Sequence, residues 1–357
     1  MSELSDISQE EQAADIVPEG GEPEEEVVQP PAPAPKPEPV VELRPPRRLN
    51  IIGRRNIFFA LSLLIIIPGI LSMWRYGFLL GIDFAGGTEF TVTFAHNPTT
   101  TQVENAVSAE GLNGTVIQTT GSSSSPSATS TYIIRYPPLN ASSQTAVQQD
   151  LQNRLGPMVG GGPSQILAVG GTIAGETIFY SLLAVVIAAL AILTLLIFRF
   201  RNVPGGWRAG VQFGGSAIAA LLHDVFILTG IFSILGKVFN LRVGEIDSFF
   251  VTAVLTVVGF SVHDTIVVFD RIRENLRVSQ RLSFDQVVNL SIMQTAARSI
   301  ITSFTVVLVL ASIFFVGGST LKGLALALAI GIISGTYSSI FNAAPLLVVW
   351  RKLQPLR

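Results

Sequence analysis

Two of the three histidines in this sequence stand directly before an aspartate, as His223-Asp224 and His263-Asp264, and both pairs fall inside long apolar runs. An ionised side chain at such a depth costs roughly 2.5–3.5 kcal/mol on membrane-insertion scales, so each pair marks a candidate site for handling protons or ions. Adjacent helical residues point about 100° apart, which lets one member of a pair face a bundle interior while the other looks along an interface. Metal binding is disfavoured, because two helices would have to supply four converging ligands from these pairs alone. Arg298 opens a later apolar run at a depth comparable to that of Asp264, and Ser299, Thr302, Ser303 and Thr305 add hydroxyls over the next two turns. An arginine beside a buried carboxylate favours its charged form and apolar surroundings favour the acid, so helix movement between the two would load and release a proton. The plainer reading of Arg298 is a basic anchor at the lipid headgroups.

The elements that must position these residues follow from hydropathy. The chain has 357 residues, 48% of them apolar and 13% charged, which is the composition of a multi-pass α-helical membrane protein. The absence of cysteine excludes disulfides, thiolate metal sites and cysteine nucleophiles. Six runs are long enough to span, from Ile57 to Trp74, Ile178 to Phe198, Val211 to Leu235, Phe249 to Phe269, Ile300 to Val316 and Leu324 to Trp350. They form one helix plus five, with a hydrophilic insert between.

Residues 1–46 read as a disordered acidic, proline-rich tail, and 47–76 as the first span with its basic flank. The insert covers 77–175, the five-helix bundle 176–352 and a short C-terminus 353–357. Twelve of the 25 acidic residues lie in the first 43 positions against one base, Lys36, so the near-neutral total hides a basic remainder. Fifteen basic residues flank the spans on one side, in the segments 44–55, 199–208, 271–281 and 351–357, and six lie on the other. The positive-inside rule then puts both termini in the cytoplasm and the insert outside.

Within the insert, strands are expected at Thr88–Phe94, Thr115–Thr119, Tyr132–Tyr136 and Gln165–Val169, and helices at Thr99–Glu110 and Ser142–Leu155. That βαββαβ order is the ferredoxin-like α+β unit. It holds no clustered carboxylates and no Ser/His/Asp spacing, and its His96 reads as an exposed loop residue. Gly86 and Gly87 in GIDFAGGTEF supply a turn before the first strand, with Asp83 capping it. No G-x-x-x-x-G-K-[ST] occurs, so nucleotide hydrolysis, a cofactor and an enzymatic reaction are not expected. FDRIREN reads either as a solvated helix exit, with Asp270 near Arg273 and Glu274, or as a partner contact. Gly210 and Gly214, and Gly331 and Gly335, have the spacing of close helix packing.

GIDFAGGTEF, ALLHD, HDTIVVFDRIREN, RSIITSFTVVLVLASIFFVGG and GTYSSIFNAAPLL together resemble the SecF family, in order, over roughly residues 50–352. The resemblance implies the resistance-nodulation-division superfamily, use of the proton-motive force or of sodium, and an accessory role in protein export across the bacterial cytoplasmic membrane. It implies as partners SecD, the Sec translocon channel, the unfolded polypeptide in transit and membrane lipids, and no nucleic acid. The family's intramembrane acid falls on Asp264 and its arginine on Arg298; beside what the resemblance implies, the residues themselves offer Asp224, His263 and Thr302 as further candidates for a proton pathway. Many relatives have asparagine at the position of His263. The alternative function is a proton-driven small-molecule or lipid exporter of the same superfamily.

Overall fold

A computed structural model of the chain describes residues 50–109, 116–120, 130–278 and 281–355. The acidic tail, the serine-rich loop at 121–129, Glu110, Thr115 and residues 356–357 lie outside the described residues.

The first span is α1 (Arg55–Tyr76), which continues through Pro68 and stops at Gly77, whose φ of 71° is open to glycine at no steric cost. A helical turn, α2 (Ile82–Ala85), follows within GIDFAGG, where only a turn was expected. The inserted domain then runs β1 (Gly87–Thr93), α3 (Thr100–Ser108), β2 (Val116–Thr120), β3 (Thr131–Tyr136), α4 (Ala141–Leu155) and β4 (Gln165–Val169). Thr99 and Gln102 form a capping box that starts α3, and Asn140 caps α4. The strands form one antiparallel sheet in the order β2-β3-β1-β4, the strand order of a ferredoxin-like unit. Alternation decides its faces. Phe90 and Val92 of β1 and Tyr132, Ile134 and Tyr136 of β3 bury one face under Val103 and Val107 of α3 and Val147 and Leu151 of α4. The other face carries Glu89 and Arg135, directly opposite in register and both buried.

The bundle comprises α5 (Gly171–Phe200), α6 (Gly206–Ser233), α7 (Ser248–Val278), α8 (Phe284–Val316), α9 (Ser319–Ser338) and α10 (Ala344–Leu353). A π turn at Ile234–Val238 extends α6, and another at Ser339–Ala343 joins α9 to α10 into one crossing. Among the described residues, six helical stretches are thus long and apolar enough to cross a membrane, as hydropathy predicts. The stretches built on α6, α7 and α9–α10 form the centre, while α1, α5 and α8 present mostly exposed apolar side chains. Small residues let the central helices approach. A Cβ on Gly210 would stand 2.6 Å from the Ile197 carbonyl oxygen of α5, one on Gly331 2.2 Å from Val257 of α7, and one on Gly69 of α1 2.9 Å from the Gly230 backbone of α6.

One boundary departs widely from expectation. Helix α8 starts at Phe284, far ahead of the apolar run at Ile300, because Ser283 and Gln286 form a capping box and the next turns carry polar side chains with buried partners. Asn275 of α7 donates to Ser291 (2.8 Å) and Gln294 (2.9 Å), and Asn289 accepts from the Ile51 amide at 2.9 Å. Arg298 therefore sits well inside a helix instead of at its start.

Candidate functional site

The two buried aspartates of the bundle differ sharply in their surroundings. Asp224 of α6 is 1% exposed and accepts four hydrogen bonds. Ser261 of α7 donates at 2.7 Å, Ser334 and Ser338 of α9 at 2.7 and 2.6 Å, and His223 Nδ1 at 3.0 Å. The serines come together because Ser334 and Ser338 lie four apart on one face of α9, and Gly331 and Gly335 bring that face onto α7. Asp264 of α7 is also buried, but it accepts from Ser339 at a long 3.3 Å, with the Ser299 side chain of α8 alongside. Four donors fix the position of the Asp224 carboxylate, whereas Asp264, with one long bond to Ser339 and the Ser299 hydroxyl beside it, is held less tightly.

Further polar groups surround this pair. The His223 ring lies 6.1 Å from that of Tyr337, and its Nε2 is buried without a hydrogen-bond partner among the described residues. Tyr337 donates to the Phe58 carbonyl of α1 at 2.9 Å. Ser62 of α1 is joined to Asn342 in the π turn, and Ser303 of α8 to Thr336 of α9. Helices α1, α6, α7, α8 and α9 thus share one polar layer.

Asp224 and Asp264 are brought together around α9, but three other expected members are not. Arg298 is exposed on α8 and makes no ion pair among the described residues, so the expected Asp264–Arg298 pair is not formed in this structure. The depth match holds, since neighbouring Ser299 lies beside Asp264. The azimuth does not, because successive residues turn by about 100°. His263 is exposed for the same reason. Thr302 is exposed too, and its hydroxyl bonds back to the Arg298 and Ser299 carbonyls, each at 3.0 Å. In FDRIREN, Asp270 pairs with Arg199 of α5 at 2.7 Å instead of Arg273, and Arg271 pairs with Glu274 at 2.5 Å. His96 is exposed, as expected.

A second buried charge cluster lies where the inserted domain meets the α6–α7 connection. Arg135 Nη2 is 2.8 Å from Glu89 and 2.6 Å from Glu245, while Arg242 stands 3.5 Å from Glu89. Burial pushes Glu245 above the usual carboxylate range despite Arg135 and Arg242, and it pushes Asp247 up as well, against the Phe250 amide that bonds it. The folded state therefore binds protons more tightly than the unfolded chain. These two groups should add stability as pH falls through the interval between their ordinary and raised values, and lose it as pH rises through the same interval. Thermal unfolding across mildly acid pH should show that slope reduced in Glu245→Gln.

Residues 163–353 match the family model described as protein export membrane protein SecD/SecF, C-terminal, and residues 72–97 match the SecD/SecF GG motif. The protein translocase subunit SecF of Thermobaculum terrenum is 43% identical over 314 residues, covering 87% of this chain and 96% of that one. The chain belongs to the SecF family. The SecF of Anaerolinea thermophila is 40% identical, over 85% of this chain and 94% of that protein. The crystal structure of SecDF from Thermus thermophilus, titled a translocon-associated membrane protein, superposes with a TM-score of 0.72 at 30% identity. It covers 87% of this chain, which spans only 40% of that fused one. The resemblance read from the sequence is borne out, and SecF membership favours a protein translocase subunit over a small-molecule exporter. Both aspartates fall in the SecD/SecF C-terminal match, and Gly86 and Gly87 in the GG motif match.

Proposed function

We propose that this SecF-family chain is a proton-driven accessory subunit of the Sec translocase, with Asp264 as the group that takes up and releases the proton. The observation that carries the reading is the contrast between Asp224, fixed by four donors, and Asp264, held by one long bond in the same polar layer. Protonation removes the charge of Asp264 and weakens its hold on Ser339. Deprotonation calls for a counter-charge, which Arg298 supplies from the same depth once α8 turns. His223 and Asp224 form the fixed wall of the pathway, and His263 and Thr302 lie on its outer faces. No covalent chemistry is involved.

The excess of basic residues on one side supports cytoplasmic termini, a cytoplasmic tail at 1–46 and an extracytoplasmic insert at 77–175, in the bacterial cytoplasmic membrane. The fused SecDF relative supports a SecD partner, and with it the translocon channel and the polypeptide in transit. One charge crossing 100 mV releases about 2.3 kcal/mol, so several protons per cycle are enough to displace a domain. Asp264→Asn, reconstituted with SecD and the translocon, should lose at least tenfold of the export stimulated by a proton gradient. Wild-type export with wild-type proton uptake in that variant would overturn the reading.

A further inference from the structure

The inserted domain enters and leaves the bundle through glycines. Gly77, at φ 71°, ends α1, Gly170 precedes α5 and Gly171 opens it, all three with open space at their Cβ positions. A hydrogen-bonded attachment lies elsewhere, at the start of α7 and in the connection before it. Leu80 and Ile246 form a parallel bridge, in which the Gly81 amide donates to the Ile246 carbonyl at 2.7 Å and the Ile246 amide to the Leu79 carbonyl at 2.8 Å. Asp83 accepts from the Ser248 amide at 3.1 Å, and Asp247 accepts from the Phe250 amide at 2.8 Å, so carboxylates from both sides of the joint cap α7. Asp83 does not serve the turn that precedes β1, as the sequence reading expected.

Over this bridge sits a charge quartet in which Glu89 and Arg135 are buried and Arg242 is partly exposed. Arg135 of β3 donates from Nη2 to Glu89 of β1 and Glu245 of the α6–α7 connection, from Nε to Glu89 at 3.3 Å, and from Nη1 to the Leu80 carbonyl at 2.8 Å. Arg242 closes the group on the far side of Glu89. Buried charges with fully paired geometry hold their partners in one arrangement, because separating them strands an ion away from water. Gly81 permits the approach, since a Cβ there would lie 2.8 Å from that of Asp247 and 2.9 Å from Glu245 Oε1. The GG segment, the two strands and the first turn of α7 thus make one mechanical joint, and α7 is the helix that carries Asp264.

We infer that Arg135 and Glu245 are positioning residues that key the inserted domain to α7, so that displacement of the Asp264 helix is delivered to the domain through this joint. The inference rests on the proton-driven reading above and assigns the element that transmits it.

The test uses the full chain with its SecD partner in translocon-containing vesicles, measuring proton uptake and export separately. Arg135→Gln should lower gradient-stimulated export at least fivefold while leaving proton uptake within twofold of wild type. Because the chain has no cysteine, Leu80→Cys with Ile246→Cys introduces a single pair across the bridge. Oxidation of that pair in the Arg135→Gln background should restore export to within twofold, and reduction should remove the gain. Normal export in Arg135→Gln, equal loss of uptake and export, or an oxidised bridge that restores nothing would each overturn the joint. Asp264→Asn separates the two ideas. If it keeps uptake and export, the proton reading fails, while the disulfide rescue still reports on the joint.

Discussion

Asp224→Ala should be the most damaging single change within the bundle. It removes the acceptor for three serine hydroxyls and one imidazole nitrogen, all from elements that meet at α9. Hydrogen bonds between membrane helices average about 0.6 kcal/mol and reach about 1.7, so the three serine bonds together are worth about 2–5 kcal/mol. Ser338 has a second acceptor in the Gly335 carbonyl at 3.2 Å, which places the loss below the upper figure. Thermal unfolding in detergent should show a lowered midpoint, with Asp224→Asn intermediate because its amide keeps one acceptor oxygen. An unchanged midpoint for Asp224→Ala would refute the anchoring role. Asp264→Asn, by contrast, should unfold close to wild type, since the carboxylate it replaces holds a single 3.3 Å bond to Ser339.

The second large effect is expected at Gly87→Ala. The backbone there has φ 121°, outside the range that an L side chain adopts readily, at a cost of about 1–3 kcal/mol. The new methyl would also lie 2.3 Å from the Tyr136 carbonyl oxygen of β3, a backbone atom fixed by the sheet, and overpacking of this kind adds about 1–3 kcal/mol. Gly86→Ala is the control. Its φ of 68° is strained as well, but the nearest atom stands at 3.4 Å, so it carries the first cost and little of the second. Proteolysis of the inserted domain in the full chain should therefore accelerate much more for Gly87→Ala than for Gly86→Ala. Equal sensitivity would show that packing against Tyr136 does not matter.

How much of this was legible in the sequence depends on which physical signal carried each feature. The six crossings and the βαββαβ insert were readable, because hydropathy over twenty residues and alternation along a strand are strong periodic signals. The beginning of α8 was not, since Asn289, Ser291 and Gln294 interrupt the apolar pattern while their polar groups are satisfied inside the bundle. Asp224 and Asp264 were found by cost alone. The serines that distinguish them were missed, because serine among glycine and alanine reads as small-residue packing, and nothing in SGTYSS says that a carboxylate lies opposite. Arg298 was placed at the right depth and the wrong azimuth, as depth follows from residue count whereas azimuth depends on the roll of α8. Glu89 and Arg135 were passed over for a related reason, since an isolated charge in a strand usually marks the wet face. Here that face is covered by the α6–α7 connection.

Ser338 and Ser339 are consecutive residues at the entry to the π turn, yet one serves Asp224 and the other Asp264. They act as the two arms of a balance on a single peptide unit. A roll of α9 that lets Ser339 follow a departing Asp264 must swing Ser338 against a carboxylate that three other donors hold in place. The stiff arm therefore limits how far the loose one travels, and that limit is written into the bond lengths around Asp224.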